Sequence, residues 1–189
     1  MVETYTTNIA SQLQCAKPYN LMRLSGAITE PLSLSVVKNY LRVNFNDDDA
    51  LIAELIIASR HFAENYIGNA LAAQNFEVSY IDELPNFITL PMSPIASITS
   101  IITEDLSGNQ VTLPTNAYHL SSGRYLHLHQ YLCAHITKIT YQTLATQGEQ
   151  AAIKRAMLSH IALMYDMRGE APIPADSINI YQQYKQVRI

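Results

Sequence analysis

The 189-residue sequence has two cysteines, no tryptophan, six glycines and only 15% charged residues. Cys15 and Cys133 stand far apart with no C-x-x-C spacing, which excludes a thiolate metal site or dithiol redox motif and leaves free thiols. Gly68, Gly108, Gly123, Gly148 and Gly169 are scattered singly, so no glycine-rich loop is present to cradle a phosphate. No serine sits in a G-x-S-x-G elbow. No apolar run approaches the roughly 18 to 20 residues that cross a bilayer. The opening "MVETYTTNIASQLQCAKPYN" lacks the basic-then-apolar profile of a signal peptide, so a protein made and used in a cytoplasm is expected. The formal charge of -4 argues against broad nucleic-acid binding, which needs a basic face to displace counterions from phosphates.

What the sequence does have is apolar residues, 48% of the chain, enough for one good core at this length. The pattern predicts an α+β protein. A helical pair and a long carboxy-terminal helix pack with a small antiparallel β-sheet or barrel, between flexible amino- and carboxy-terminal arms. The expected division is an arm over 1–18, one domain over 19–169 and a docking arm over 170–189.

A strand-like "YNLMRL" leads to Gly26. Pro31 and Ser33 then precede Val36, Val37, Tyr40 and Leu41 at helical spacing, predicting a first helix over about 33–43 with Ser33 near its cap. Leu51, Ile52, Leu55, Ile56, Phe62, Ala63 and Tyr66 recur at three- and four-residue steps, predicting a second helix over about 47–67 that Gly68 stops.

From about 75 to 142 the texture is extended. "NFEVSYI", "NFITLP", "IASITSIITED", "VTL", "AYHLSS", "RYLHLHQ" and "AHITKITYQ" read as strands, with "LSGNQ" as a turn. Ala152, Ile153, Ala156, Met157, His160, Ile161 and Met164 mark one side of a last helix over about 147–168, with Gly169 as its stop. The tail keeps several isoleucines and tyrosines and ends in "YKQVRI", too apolar for a solvated tail.

Two clusters carry possible chemistry. Asp47, Asp48 and Asp49 are consecutive, but a calcium loop counted from Asp47 needs glycine at its sixth position and glutamate at its twelfth, where Ile52 and Ala58 stand. The same residues suit a helix start. Asn46, Asp47 or Asp48 can cap free amides, and each first-turn carboxylate opposes the helix dipole for about 0.3–1 kcal/mol. In "YLHLHQYLCAHI", His127 and His129 share a strand face as zinc ligands often do, with His135 or His119 as a third. No carboxylate in that segment orients the rings, so exposed strand-face histidines are the expectation. His160 reads as a partly buried helix residue and His61 as solvent-facing.

In order and spacing, Pro31, Leu41, Arg42, Val43, Asp48, Asp49, Ala50, Leu51, Ile52, Leu55, Ile56, Ala58, Glu64, Gly68, Ala70 and Leu71 form a pattern. It continues through "LPMSPIASITSIITEDLSGNQVTL" and "ITYQ" and closes with "YKQVRI". Over about residues 20–189 this resembles the head-tail connector (adaptor) family of tailed bacteriophages, prophages and gene transfer agents. Two features depart from that family: the longer amino-terminal arm, and "TLATQGEQ", which lacks the usual proline ahead of its helix.

The resemblance implies a non-enzymatic virion protein of the head-tail junction, assembled in the bacterial host cytoplasm. It would form a homo-oligomeric ring, dodecameric in that family, beneath the portal protein and above a stopper or tail-completion protein. Genomic DNA would pass through its channel without specific binding. The resemblance implies no catalytic residue, cofactor, metal or membrane contact. The tail from Pro172, with Ile178, Ile180, Tyr181, Tyr184, Lys185, Val187, Arg188 and Ile189, would dock into the portal, and its deletion would leave the fold intact. The alternatives are a tail-completion or stopper protein of the same particle, and a small metal-dependent enzyme built on His127, His129 and His135.

Overall fold

Ser33 starts the first helix by the mechanism its position predicts. Its backbone is extended and its Oγ accepts from the Val36 N–H at 3.4 Å, opening α1 (Leu34–Leu41). Arg42, in the left-handed conformation at φ 59°, closes it. The computed structural model describes residues 20–81, 84–130, 132, 134–145, 150–169 and 171–185. The expected arm over 1–18, and Val187, Arg188 and Ile189 of the expected docking set, lie outside the described residues.

α2 (Asp49–Ile67) ends at Gly68, whose φ of 82° is the left-handed value that glycine adopts without a Cβ clash, and whose N–H donates to the Glu64 carbonyl at 2.8 Å. α3 (Gln150–Met167) closes one residue before the expected stop, because Arg168 takes the positive φ of 49°. The Gly169 N–H then reaches back to the Met164 carbonyl.

A fourth helix, α4 (Ala175–Tyr184), was not predicted. The prolines at 172 and 174 disguise it, since Pro174 stands at the N-cap position, where a missing N–H costs nothing. α2 packs on α3 and α3 on α4, burying Ile52, Ile56, Ala63, Met157, Ile161 and Tyr181 in one apolar cluster. The carboxy-terminal segment is therefore not a free arm. Tyr181 is 0% exposed, so deleting the tail from Pro172 removes part of the core instead of leaving the fold intact.

The strands pair into two antiparallel sheets in place of one sheet or a closed barrel. The five-stranded sheet has the order β1-β2-β8-β4-β5, from β1 (Asn20–Arg23), β2 (Asn75–Ile81), β8 (Ile136–Thr143), β4 (Ile95–Glu104) and β5 (Gln110–Thr112). The three-stranded sheet has the order β3-β7-β6, from β3 (Phe87–Thr89), β7 (Tyr125–Leu128) and β6 (Tyr118–Ser121). The reason lies in "LPMSP". Its prolines, Pro91 and Pro94, cannot donate to a ladder, so strand pairing is interrupted between β3, which pairs with β7, and β4, which pairs with β8.

Period-two burial fixes the register. Phe76, Val78 and Tyr80 of β2 face inward opposite Tyr141, Ile139 and Thr137 of β8. Ile101 of β4 joins them opposite Ile139, and Leu126 and Ile88 come from the second sheet. Each fully buried aliphatic of this kind contributes about 1.5–3 kcal/mol. Gly123, in the turn between β6 and β7, has φ 58°, and a Cβ there would lie 3.2 Å from the Ile95 carbonyl oxygen. Its own carbonyl accepts the Ile95 N–H at 2.7 Å, so glycine lets the small sheet close on the large one.

Candidate interaction surfaces

The aspartate turn does not cap α2. Asp48 holds the N-cap position but its side chain makes no cap hydrogen bond, because its carboxylate is engaged elsewhere. It accepts from the Tyr165 hydroxyl near the end of α3, a bond that raises the hydroxyl's pKa. Asp49 lies in the first turn and takes Lys38 Nζ of α1 at 2.5 Å, with Asn46 Oδ1 taking the same ammonium at 2.8 Å. Asp47 is exposed. Of the predicted caps Asn46, Asp47 and Asp48, Asn46 and Asp48 instead tie helices together: their side-chain partners on α1 and α3 compete successfully with the local amides.

One turn from the middle of α2, the apolar pattern concealed two buried charges. Arg60 is 1% and Glu64 0% exposed. Arg60 donates to Glu30 from Nε at 2.7 Å and from Nη2 at 3.1 Å, and to Glu64 from Nη1 at 3.0 Å. Glu64 also accepts from Arg23 of β1 at 2.8 Å, from Gln74 Nε2 at 2.7 Å and from the Leu71 N–H at 2.8 Å. Burial alone would lower the Arg60 pKa, but the Glu30 and Glu64 carboxylates outweigh it and raise it. The network joins the β1 edge, the loop before α1, the middle of α2 and the entry to β2. It is a joint between helices and sheet. His61 beside it is held down to about 4 by burial and by the neighbouring Arg23 and Arg60 charges.

The histidines are brought together differently from the pattern. His119 and His127 are opposite residues of β6 and β7 and stack with ring centroids 4.5 Å apart at 6°. His129 just beyond β7 places Nε2 3.3 Å from His119 Nδ1. Phe87 and Tyr125 extend this row of rings on the outer face of the small sheet. His135 does not join it; its backbone N–H donates to Glu104 at the end of β4. Among the described residues, no three His, Cys, Asp or Glu side chains are arranged to hold a metal ion, and no helix is long and apolar enough to cross a membrane. His160 is fully buried, with Nε2 3.0 Å from the Ala171 carbonyl and its ring edge-on to Phe62.

On α4, the predicted docking residues divide. Tyr181 points into the core 6.0 Å from the Tyr66 ring, and burial pushes its hydroxyl pKa up. Ser177 Oγ donates to the Ala156 carbonyl at 2.9 Å. Ile178, Ile180 and Tyr184 are half-buried, and exposed Lys185 places Nζ 5.2 Å from the Tyr66 ring centre. A cleft of about 360 Å³ opens between α1, α3 and α4, lined by Tyr40, Arg155, Ser159, Asp176, Asn179 and Ile180. Sequence reasoning missed Arg60, Glu64 and Gln74 as a site because they come from separated parts of the chain. The only available signal was the Arg60–Glu64 spacing of four on the buried face of a helix.

Residues 31–109 match the family model described as phage gp6-like head-tail connector protein. No curated protein matches the chain. Among solved structures, a chain in the virion of a native gene transfer agent particle is similar with a TM-score of 0.71 and 16% identity, over 89% of this chain and 96% of that one. A chain in the neck of the empty particle, computed with C6 symmetry, gives 0.70 and 15% over 90% and 97%. A chain in the neck of the native particle, computed with C12 symmetry, gives 0.63 and 18% over 90% and 97%. At these identities the structural likeness is one of fold, and it supports the mixed α+β class. The resemblance to the head-tail connector family is thus shown by the family model over residues 31–109, within a fold shared with gene transfer agent particle chains.

Proposed function

We propose that this protein is a structural subunit of a virion neck. It forms a closed ring that joins the portal at the head vertex to a stopper or tail protein and leaves a channel for DNA. The observation that carries this reading is that the family match over residues 31–109 lies inside a fold shared with a gene transfer agent neck chain over 97% of that chain. The matched segment spans α1, α2 and β2 to β4, including the buried charge joint at Arg60 and Glu64. A net charge of -4 suits a channel in which phosphate must slide without sticking. A ring needs only self-complementary edges, and a rigid joint between helices and sheet keeps those edges in fixed relation.

In this reading the portal-docking residues run from Lys185 onward, and Tyr181, buried in the core, anchors the helix that precedes them. The test is recruitment of the protein to portal-bearing heads, followed by electron microscopy of the vertex. Ending the chain after Lys185 keeps Tyr181 and Ser177 in place, so the thermal transition should be unchanged while recruitment is lost. Full recruitment of that truncated chain would sink the docking assignment, and a vertex without a ring of this protein would sink the function.

A further inference from the structure

We propose that His119 Nδ1 and His129 Nε2 form a two-histidine site, on the outer face of the small sheet, for a divalent metal ion of the Zn²⁺, Ni²⁺ or Cu²⁺ class. The site does not rest on the neck reading above.

The backbone holds both residues in place. His119 of β6 lies directly opposite His127 of β7, so His129, two residues further along, stands diagonal to His119 on the same face. The His129 N–H donates to the Ala117 carbonyl at 2.9 Å, which carries the ladder one residue past β7. Both side chains are exposed, so an ion can reach them with its remaining water ligands in place.

Distance and chemistry name the ligand. Two nitrogens bound to one tetrahedral ion at about 2.0–2.1 Å lie about 3.3–3.4 Å from each other. His119 Nδ1 and His129 Nε2 are 3.3 Å apart, with ring centroids at 5.6 Å and planes at 44°. As a hydrogen bond that separation exceeds the usual N–H range of about 2.7–3.2 Å, so little is lost when an ion replaces it. An imidazole turns about its terminal torsion within a broad well, and that motion brings both lone pairs onto one ion without disturbing the ladder.

The neutral pair carries one N–H between its facing nitrogens. On binding, the ring that donates moves this proton to its other nitrogen, and both rings stay neutral. Neutral imidazole suits Zn²⁺, Ni²⁺ and Cu²⁺, whereas Mg²⁺ and Ca²⁺ take oxygen.

His127 shares the face but supplies no ligand. Its ring stacks on His119 with centroids 4.5 Å apart at 6°, and in-plane lone pairs of parallel rings do not meet at one ion. Its Nε2 lies 3.2 Å from Ser121 Oγ, and Phe87 stands edge-on at 4.7 Å. Two protein ligands leave the other positions to water. The ion is therefore exchangeable, unlike one enclosed by four side chains.

The test uses the full chain with Cys15→Ser and Cys133→Ser, which removes competing thiolates, titrated calorimetrically with Zn²⁺ or Ni²⁺ alone. One ion should bind per chain, more weakly as pH is lowered because protons compete for the same nitrogens, and excess Mg²⁺ should not displace it. His119→Gln and His129→Gln should each weaken binding about tenfold or more, and His127→Gln about threefold or less, since its ring gives no electron pair. The metal-free thermal midpoint should be unchanged in the two ligand variants, whose side chains are on the surface. Broadening of amide signals by Ni²⁺ should be strongest around His119 and His129. Absence of saturable binding, binding that survives both ligand substitutions, or an equal loss with His127→Gln overturns the proposal. Displacement by Mg²⁺ overturns the class of ion.

Discussion

The helical half and the sheet half of this molecule achieve burial by different rules. In β2 and β8, alternate residues are buried almost without exception, and the buried side chains are apolar, aromatic or threonine. In α2, the buried face runs through Ile52, Leu55, Ile56 and Ala63 but also through Ser59, Arg60 and Glu64. A strand has two faces, and the one turned to the core is dry. A helix has a continuous circumference, and part of α2 turns to the joint with the sheet, where polar partners wait. Charge burial is therefore concentrated in the helix, while the inward residues of β2 and β8 are uncharged and hold the core by packing and by neutral hydrogen bonds, from the Tyr141 hydroxyl to the Pro91 carbonyl and from Thr143 Oγ1 to the Ala72 carbonyl.

Removing one member of the joint should produce the largest effect. Glu64→Ala leaves Arg60 and Arg23 close together without their shared carboxylate, and should cost about 3–5 kcal/mol in urea unfolding. Ile139→Val in the centre of the sheet should cost only about 0.5–1.5 kcal/mol. Equal losses would abolish the distinction between the halves.

Next in size, Tyr181→Ala should cost about 3 kcal/mol by emptying a filled core position under α4. Tyr181→Phe should change stability by less than about 1 kcal/mol, because the buried hydroxyl finds no hydrogen-bond partner among the described residues. Together the two variants separate packing from polarity within the helical half.

A pH titration probes the joint without truncating it. The His61 pKa in the folded protein is lowered to about 4 from the usual 6.5. As pH falls through that window the unfolded chain binds the proton first, so stability is full above about 6.5 and declines toward about 4. His61→Gln should flatten this part of the profile measured by urea midpoints, and an unchanged slope would exclude His61 as its source.

The smallest effect belongs to the acidic turn. Asp49→Asn should lose about 0.3–1 kcal/mol, mostly at low salt, because Asp49 is a partly exposed first-turn carboxylate paired with Lys38. A much larger loss would place the turn with the buried joint and not with the surface.

The strands were legible because period two reports burial directly: "NFEVSYI" coincides with β2, and the turn "LSGNQ" leads from β4 to β5. α1 and α2 were legible through Ser33 and Gly68, whose chemistry is local. α4 was not, since its burial depends on Tyr66 and Ala156 lying opposite it, and no periodicity within ten residues reveals that. The triple aspartate was placed at the right helix start but given the wrong bonds, because Lys38 and Tyr165 are brought to it only by the packing of α1 and α3.

By itself, the sequence determined what depends on near neighbours: the mixed α+β class, the positions of the strands and of α1 to α3, the left-handed stop at Gly68, and a resemblance carried by order and spacing. Only the tertiary structure decided the division into two sheets, the seating of α4 in the core, and the convergence of Arg23, Glu30, Arg60, Glu64 and Gln74. Those features join residues tens of positions apart, and the energies that fix them exist only once the chain has closed.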